Sequence, residues 1–493
     1  MSMPHRFVAF ALPFLLPLLV AQDPPVQAEP GQSAAPAPRV RLTEERVRQA
    51  YADSLAACAK AFGKALDPEL PLAFVSREQM AETIERENLP IVRLRIPDAA
   101  QAEAAAKQLA AALAQGAYAK YSWADARFLV ALETWREQVR LLDLPALAED
   151  AALRAVMVHE LCHAYDDRRF GFAARLIEAD TEEAVKAVNA VIEGSAQLQA
   201  RRICGQNGWL DGFAVMREAV GKLPKSVLRQ GEAMAMLVRS MVASATFAYY
   251  DGEDFVTAVV AAEPEGGHER VFRTPPREQE LILNPAWYLD PAQRPAVLYD
   301  PAPALDRFQA AFDSETWNAT RAQATAQQMA AGMTLLPAED VANFQKSVRN
   351  AQLLQLTPKA NPQSRMVVCV VIEFDGEASA AQWLDYAERL SKRKDETMAT
   401  GRVRIVGSER RELVGADHRG WLFRKRMKAG TKEFDVANID LQRGRIVVET
   451  VMSAEPLPDE EHERLVVETL AAVRLRAATD ESAKAGPATD TGR

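Results

Sequence analysis

Apolar residues recur at helical spacing through most of residues 42–245 and at alternate positions through much of the stretch beyond 364, so the chain changes texture once along its length. In the first stretch this spacing predicts helices over 42–66, 76–87, 99–121, 150–168, 182–202 and 226–244. Three short apolar runs, 72–75, 91–96 and 138–142, read as strands of a small sheet beside them. Prolines recur from Pro275 to Pro303 and mark an irregular close to this unit. A helical segment over 303–331 comes next, then a β-rich run over 364–374 and a helix over 378–392. Strands over 403–407, 411–414, 420–427, 433–442 and 445–453 precede a last helix over 458–475. The fold class expected is α+β, with a mostly helical domain over 41–303 and a smaller antiparallel α+β domain over 304–476.

The length of 493 residues supports this division, because one hydrophobic core does not grow to that size. A chain that is 48% hydrophobic and 26% charged has the balance of a soluble globular protein and is no multi-span membrane protein. With a net charge of -9 and no basic face interleaved with aromatics, it offers nothing to a phosphate backbone, and no nucleic-acid partner is expected.

At the start, Arg6 precedes an apolar run from Phe7 to Val20, which reads as a secretory signal peptide over 1–22. The run is short for a membrane span, which takes ~20 apolar residues. Left uncleaved it would anchor the chain; once it is removed no span remains, and the expected location is secreted or periplasmic, in the cell envelope. Residues 23–40 and 477–493 are poor in large apolar groups and read as a disordered linker and tail. Four cysteines are too few and scattered for a disulfide scaffold. Cys162 and Cys369 read as buried thiols, while Cys58 and Cys204 are either bridged or free. Oligomeric state leaves no mark on the sequence.

The chemistry concentrates in one predicted helix, where His159-Glu160-Leu161-Cys162-His163 carries two histidines four residues apart. That spacing stacks both imidazoles on one face, within reach of a single Zn2+, and Glu160 beside the first is placed to act as general base on a water. With only six histidines in the chain, the pairing does not come from composition. The apolar flanks Leu153, Val156, Met157, Val158 and Leu161 bury the helix, so imidazoles without a ligand would need other partners there.

A zinc site of this type needs a third protein ligand. Glu178, Asp180, Glu182, Glu183 and Glu193 are the candidates downstream. Glu193 is favoured, because Gly194, Ser195 and Ala196 allow close helix packing that brings a short carboxylate arm to the metal; Glu182 and Glu183 follow Thr181 at a helix start and are accounted for by capping and dipole roles. Asp166 or Asp167, one turn past His163, is placed to orient a ligating imidazole through its second nitrogen, or else closes a charged helix end.

Four pieces then occur in order: His159-Glu160-Leu161-Cys162-His163-Ala164, Glu193-Gly194-Ser195-Ala196, the run from Phe247 to Val256, and the run from Glu280 to Tyr288. Together they resemble a bacterial gluzincin-type family of zincin-like metallopeptidases, over roughly residues 70–295. The resemblance implies His159, His163 and Glu193 as zinc ligands, Glu160 as catalytic base, and Tyr249 as a hydrogen-bond donor to the developing oxyanion. Ala248 stands where the family pattern has Pro, and Asn284 where it often has His. The implied function is a zinc metallopeptidase acting on a peptide or protein substrate; the alternative is a catalytically silent zincin-like scaffold of the cell envelope.

Overall fold

In a computed structural model, which describes residues 42–476 except 67, 95, 97, 180, 223–244, 362–363 and 400–402, the protein is α+β. The chain divides into two compact units: residues up to Arg294 with Gln327–Thr334, and Pro295–Ala326 with residues from Leu335 onward. The signal segment, linker and tail, the helix expected over 226–244, and Asp180 lie outside the described residues, as does the side chain of Glu182. No helix among the described residues is long and apolar enough to cross a membrane.

The first unit runs α1 (Glu44–Phe62), β1 (Leu72–Phe74), α2 (Arg77–Arg93), α3 (Ala99–Leu113), β2 (Ala119–Ser122), β3 (Arg127–Val130), α4 (Leu132–Leu141), α5 (Asp150–Phe170), α6 (Glu182–Asn207) and α7 (Leu210–Gly221). A π-helical turn (Phe247–Asp251) then leads into α8 (Gly252–Ala262) and α9 (Gly267–Arg273). The core centres on α5, buried on nearly every side from Ala152 to Asp166 and packed against α1, α6 and α7. Gly171 stops this helix in the left-handed conformation, φ +62°, that a glycine adopts without steric cost. Thr181 caps α6 by accepting from the Ala184 N–H at 3.0 Å.

One helix crossing leaves no room for side chains. A Cβ on Gly194 of α6 would lie 2.1 Å from the Gly252 carbonyl carbon, and one on Gly252 would lie 2.2 Å from the Ala190 carbonyl oxygen. The α6 and α8 backbones therefore touch at Gly194, while the next small residue, Ser195, meets the histidine helix through Asp166.

The small sheet has the order β1-β3-β2, with β1 parallel and β2 antiparallel to β3, which leaves β2 at an edge. Two of the expected strands are helical. Residues 91–93 complete α2 beyond Pro90, with Val92 and Ile96 packed on Ala102 and Ala106. Residues 138–141 lie in α4, where Trp135 and Val139 share a buried face at helical spacing. The helix expected over 99–121 stops at Leu113, and a tight turn at Gly116 starts the way to β2. A run too short to show its period was decided by its packing.

The second unit is a seven-stranded antiparallel sheet of order β5-β6-β7-β11-β10-β9-β8. Its elements are β4 (Tyr299–Asp300), α10 (Ala302–Gln309), β5 (Trp317–Gln323), α11 (Ala338–Ser347), β6 (Val348–Pro358), β7 (Met366–Phe374), α12 (Glu377–Thr397), β8 (Val403–Val414), β9 (Arg419–Ala429), β10 (Lys432–Arg443), β11 (Ile446–Ala454), α13 (Asp459–Ala472) and β12 (Arg474–Leu475). On one face Leu305 and Phe308 of α10 and Leu465, Val466 and Leu470 of α13 pack on Leu354, Cys369, Ile439 and Val448. Elsewhere in the unit, the rings of Phe344 of α11 and Trp383 of α12 meet at 5.0 Å, tilted by 35°. The helix expected over 303–331 ends at Gln309, because Asp313 accepts from the Glu315 N–H and the Thr316 hydroxyl and turns the chain into β5. The two strands expected within 403–414 form one, bulged between Ile405 and Gly407.

Candidate functional site

Helix α5 sets His159 and His163 one turn apart, with ring centroids 4.6 Å apart. Their Nε2 atoms are separated by 3.1 Å, and one oxygen of Glu193, Oε2, lies 3.2 Å from the first and 3.3 Å from the second. Among the described candidate third ligands, Glu193 is the one brought to the pair. Glu178 pairs with Arg175 at 3.1 Å, and Glu183 accepts from the Gln279 N–H at 3.3 Å.

Three donor atoms thus form a nearly equilateral triangle. A tetrahedral zinc site with bonds of ~2.0–2.1 Å has ligand-to-ligand edges of about 3.3–3.4 Å, so the two imidazoles and the carboxylate fit such an ion. Burial pushes the Glu193 carboxyl up, but the two imidazoles more than offset this and hold it well below the usual carboxylate range. For His163 burial works downward, and Glu193 foremost, with Glu160 and Asp166, reverses the sign and raises it. The cluster favours positive charge at its centre.

Glu160 projects beside the triangle; a carboxylate oxygen of it and ligand atoms of both histidines all lie within 4.8 Å of one another. Its Oε2 accepts the main-chain N–H of Tyr121, on edge strand β2, at 2.7 Å. Tyr249, in the π-helical turn, stacks on His159 with centroids 5.5 Å apart and rings 19° from parallel. Burial first, then Glu193 and Glu160, raise its phenol far above the normal range. It stands at the centre as a neutral donor. The Gly194–Gly252 contact holds this turn against the helix that carries Glu193.

Asp166 and Asp167 have other partners than His159 and His163. The Nδ1 atoms of His159 and His163 are buried without a hydrogen bond, Asp166 accepts from Ser195 and Gln199, and Asp167 accepts from the Tyr121 hydroxyl at 2.8 Å. Asn284, the other departure from the family pattern, donates to the Glu280 carbonyl at 3.0 Å within its own helical turn. All four cysteines are free and buried, so Cys58 and Cys204 are not bridged.

Sequence reasoning missed β2. Lys120 on this strand pairs at 2.8 Å with Glu87, whose other oxygen accepts from the Ser122 hydroxyl at 3.0 Å. Burial lowers this ammonium, and Glu87 foremost, with Glu160 and Glu193, more than restores it. Tyr118, two residues earlier, is raised by burial and by Glu160. The alternation from Tyr118 to Ser122 was the available signal, and extending the preceding helix across it hid the strand.

No family model matches the chain, and no curated protein matches it. Among solved structures, a candidate hydrolase with a novel fold from Chloroflexus aurantiacus is 21% identical over 53% of this chain and 94% of its own, with a TM-score of 0.34. An uncharacterised protein from Mycobacterium smegmatis is 10% identical over 35% of this chain and 96% of its own, with a TM-score of 0.18. Likenesses this distant carry no argument about function, which rests on the site itself.

Proposed function

We propose that the chain is an exported zinc-dependent metallopeptidase of the gluzincin kind, with Zn2+ held by His159, His163 and Glu193. The observation that carries this reading is the triangle of donor atoms, 3.1 to 3.3 Å on each side, presented by two helices. Bound there, zinc supplies Lewis-acid polarisation of a carbonyl and makes water more acidic. The chain's own groups do the rest. Glu160, steadied by the Tyr121 N–H, takes a proton from the attacking water and returns it to the leaving amine. Tyr249, kept neutral, offers its hydroxyl to the developing oxyanion. The apolar segment after Arg6 supports export to the cell envelope or beyond.

The test is metal analysis of the purified protein together with cleavage of a peptide library by wild type and Glu160→Gln. One zinc per chain is expected, with cleavage reduced about 10²–10⁴-fold in the variant, whose metal content is unchanged. Stoichiometric zinc without Glu160-dependent cleavage leaves a metal-holding scaffold. A protein that takes up no zinc overturns the metal reading altogether.

A further inference from the structure

Beside the triangle lies a second polar cluster with no place in the mechanism above. Asp166, one turn beyond His163 on α5 and 2% exposed, accepts from Ser195 Oγ at 2.7 Å and from Gln199 Nε2 at 2.9 Å. Gln199 Nε2 also lies 3.0 Å from Ser195 Oγ. His268 of α9 brings its Nε2 to 2.8 Å from the same hydroxyl and 3.7 Å from Asp166 Oδ1. Its ring is set edge-on against Phe170 and Phe272, with centroids 5.4 and 5.5 Å away.

Counting protons gives one consistent direction for these bonds. Ser195 has one, given to Asp166, so its oxygen is an acceptor toward its other neighbours. The two N–H groups of the Gln199 amide reach Asp166 and Ser195. With His268 protonated on Nε2, which also lies 3.4 Å from Gln199 Nε2, the imidazole donates to Ser195 and Ser195 donates to the carboxylate. Every link converges on one buried acid, where losing a donor leaves a charged group undersatisfied.

Position gives the cluster its role. Ser195 is two residues from Glu193 on α6, and Asp166 is three from His163 on α5. The Asp166–Ser195 bond therefore sets the register between the helix bearing the carboxylate ligand and the helix bearing both imidazoles. We propose that Asp166, Ser195, Gln199 and His268 form an interhelical clamp that positions Glu193 against His159 and His163 for metal binding; the inference rests on the metal reading above. These are positioning residues, acting through Glu193.

The experiment measures zinc affinity by competition with a chelating dye, beside thermal stability and the kcat against KM split, for wild type, Ser195→Ala, His268→Phe and His268→Gln. His268→Phe keeps a ring between Phe170 and Phe272 and removes the N–H, whereas His268→Gln retains a donor. About tenfold weaker zinc binding is expected for Ser195→Ala and His268→Phe, with lower kcat and unchanged KM, and recovery of most of the affinity in His268→Gln. Should Ser195→Ala not fold, the partly exposed His268 pair carries the test. Wild-type affinity in the variants, with only the melting temperature lowered, overturns the clamp and leaves the metal site standing. A wild type that binds no zinc overturns both.

Discussion

Buried histidines occur in both units, and their surroundings make them opposites. In the sheet unit His462 is fully buried, its Nε2 meets the Thr450 hydroxyl at 2.8 Å, and burial, aided by Arg424, pushes its pKa down to about 4. In the helical unit His163 is also buried, yet the converging Glu193 carboxylate reverses the effect of burial. Burial without a charge partner makes an imidazole a neutral structural group. A carboxylate converging on two imidazoles makes a place for a cation.

The largest break in this contrast comes from deleting one imidazole of the pair. His163→Ala should weaken zinc binding on the order of 10²–10³-fold in dye competition, since ~10–16 kcal/mol of zinc binding is shared among about four ligands. His462→Gln should leave zinc affinity untouched.

Next in size is Gly194→Ala. Its Cβ has no space beside the Gly252 backbone, so a loss of about 3 kcal/mol is expected in denaturant unfolding, with Glu193 and Tyr249 driven apart.

The sheet unit has its own pH signature. His462 has a folded pKa of about 4 against an unfolded value near ~6.5, so the unfolded chain binds more protons between these limits. The stability this histidine permits is complete above the unfolded value and lost as the pH falls through the folded one, by on the order of 3 kcal/mol in all. Asp251, raised to about 6, and Glu280, raised to about 7, act in the opposite sense in the helical unit. The difference between wild type and His462→Gln across this range isolates the histidine, and a difference that stays constant with pH would refute the assignment.

Tyr249→Phe should be mildest, reducing kcat about tenfold while zinc content stays whole. An equal loss of zinc would show that the phenol serves Glu193 alone.

The histidine helix was legible because its own residues carry both the spacing and the apolar flanks, and α5 begins at the expected Asp150 and runs two residues beyond the expected end. Glu193 was reachable through the glycine after it, although that glycine packs against α8 and not α5. The edge strand β2 was not legible: four residues pair with β3 across a turn, and the helical pattern before them masked their alternation. The clamp was hidden for a different reason, since His268 lies 73 residues from Ser195 and no local pattern joins them. Contacts made within one helix show in sequence, whereas those made by a crossing do not.

The group that steadies Glu160 belongs to the main chain at Tyr121. Every amino acid except proline provides it, so this hydrogen bond to Glu160 does not depend on a particular side chain at that position. The side chain at that position has a separate task, since it is buried and its hydroxyl bonds Asp167, so one residue ties Glu160 through its backbone and the far end of the same helix through its ring.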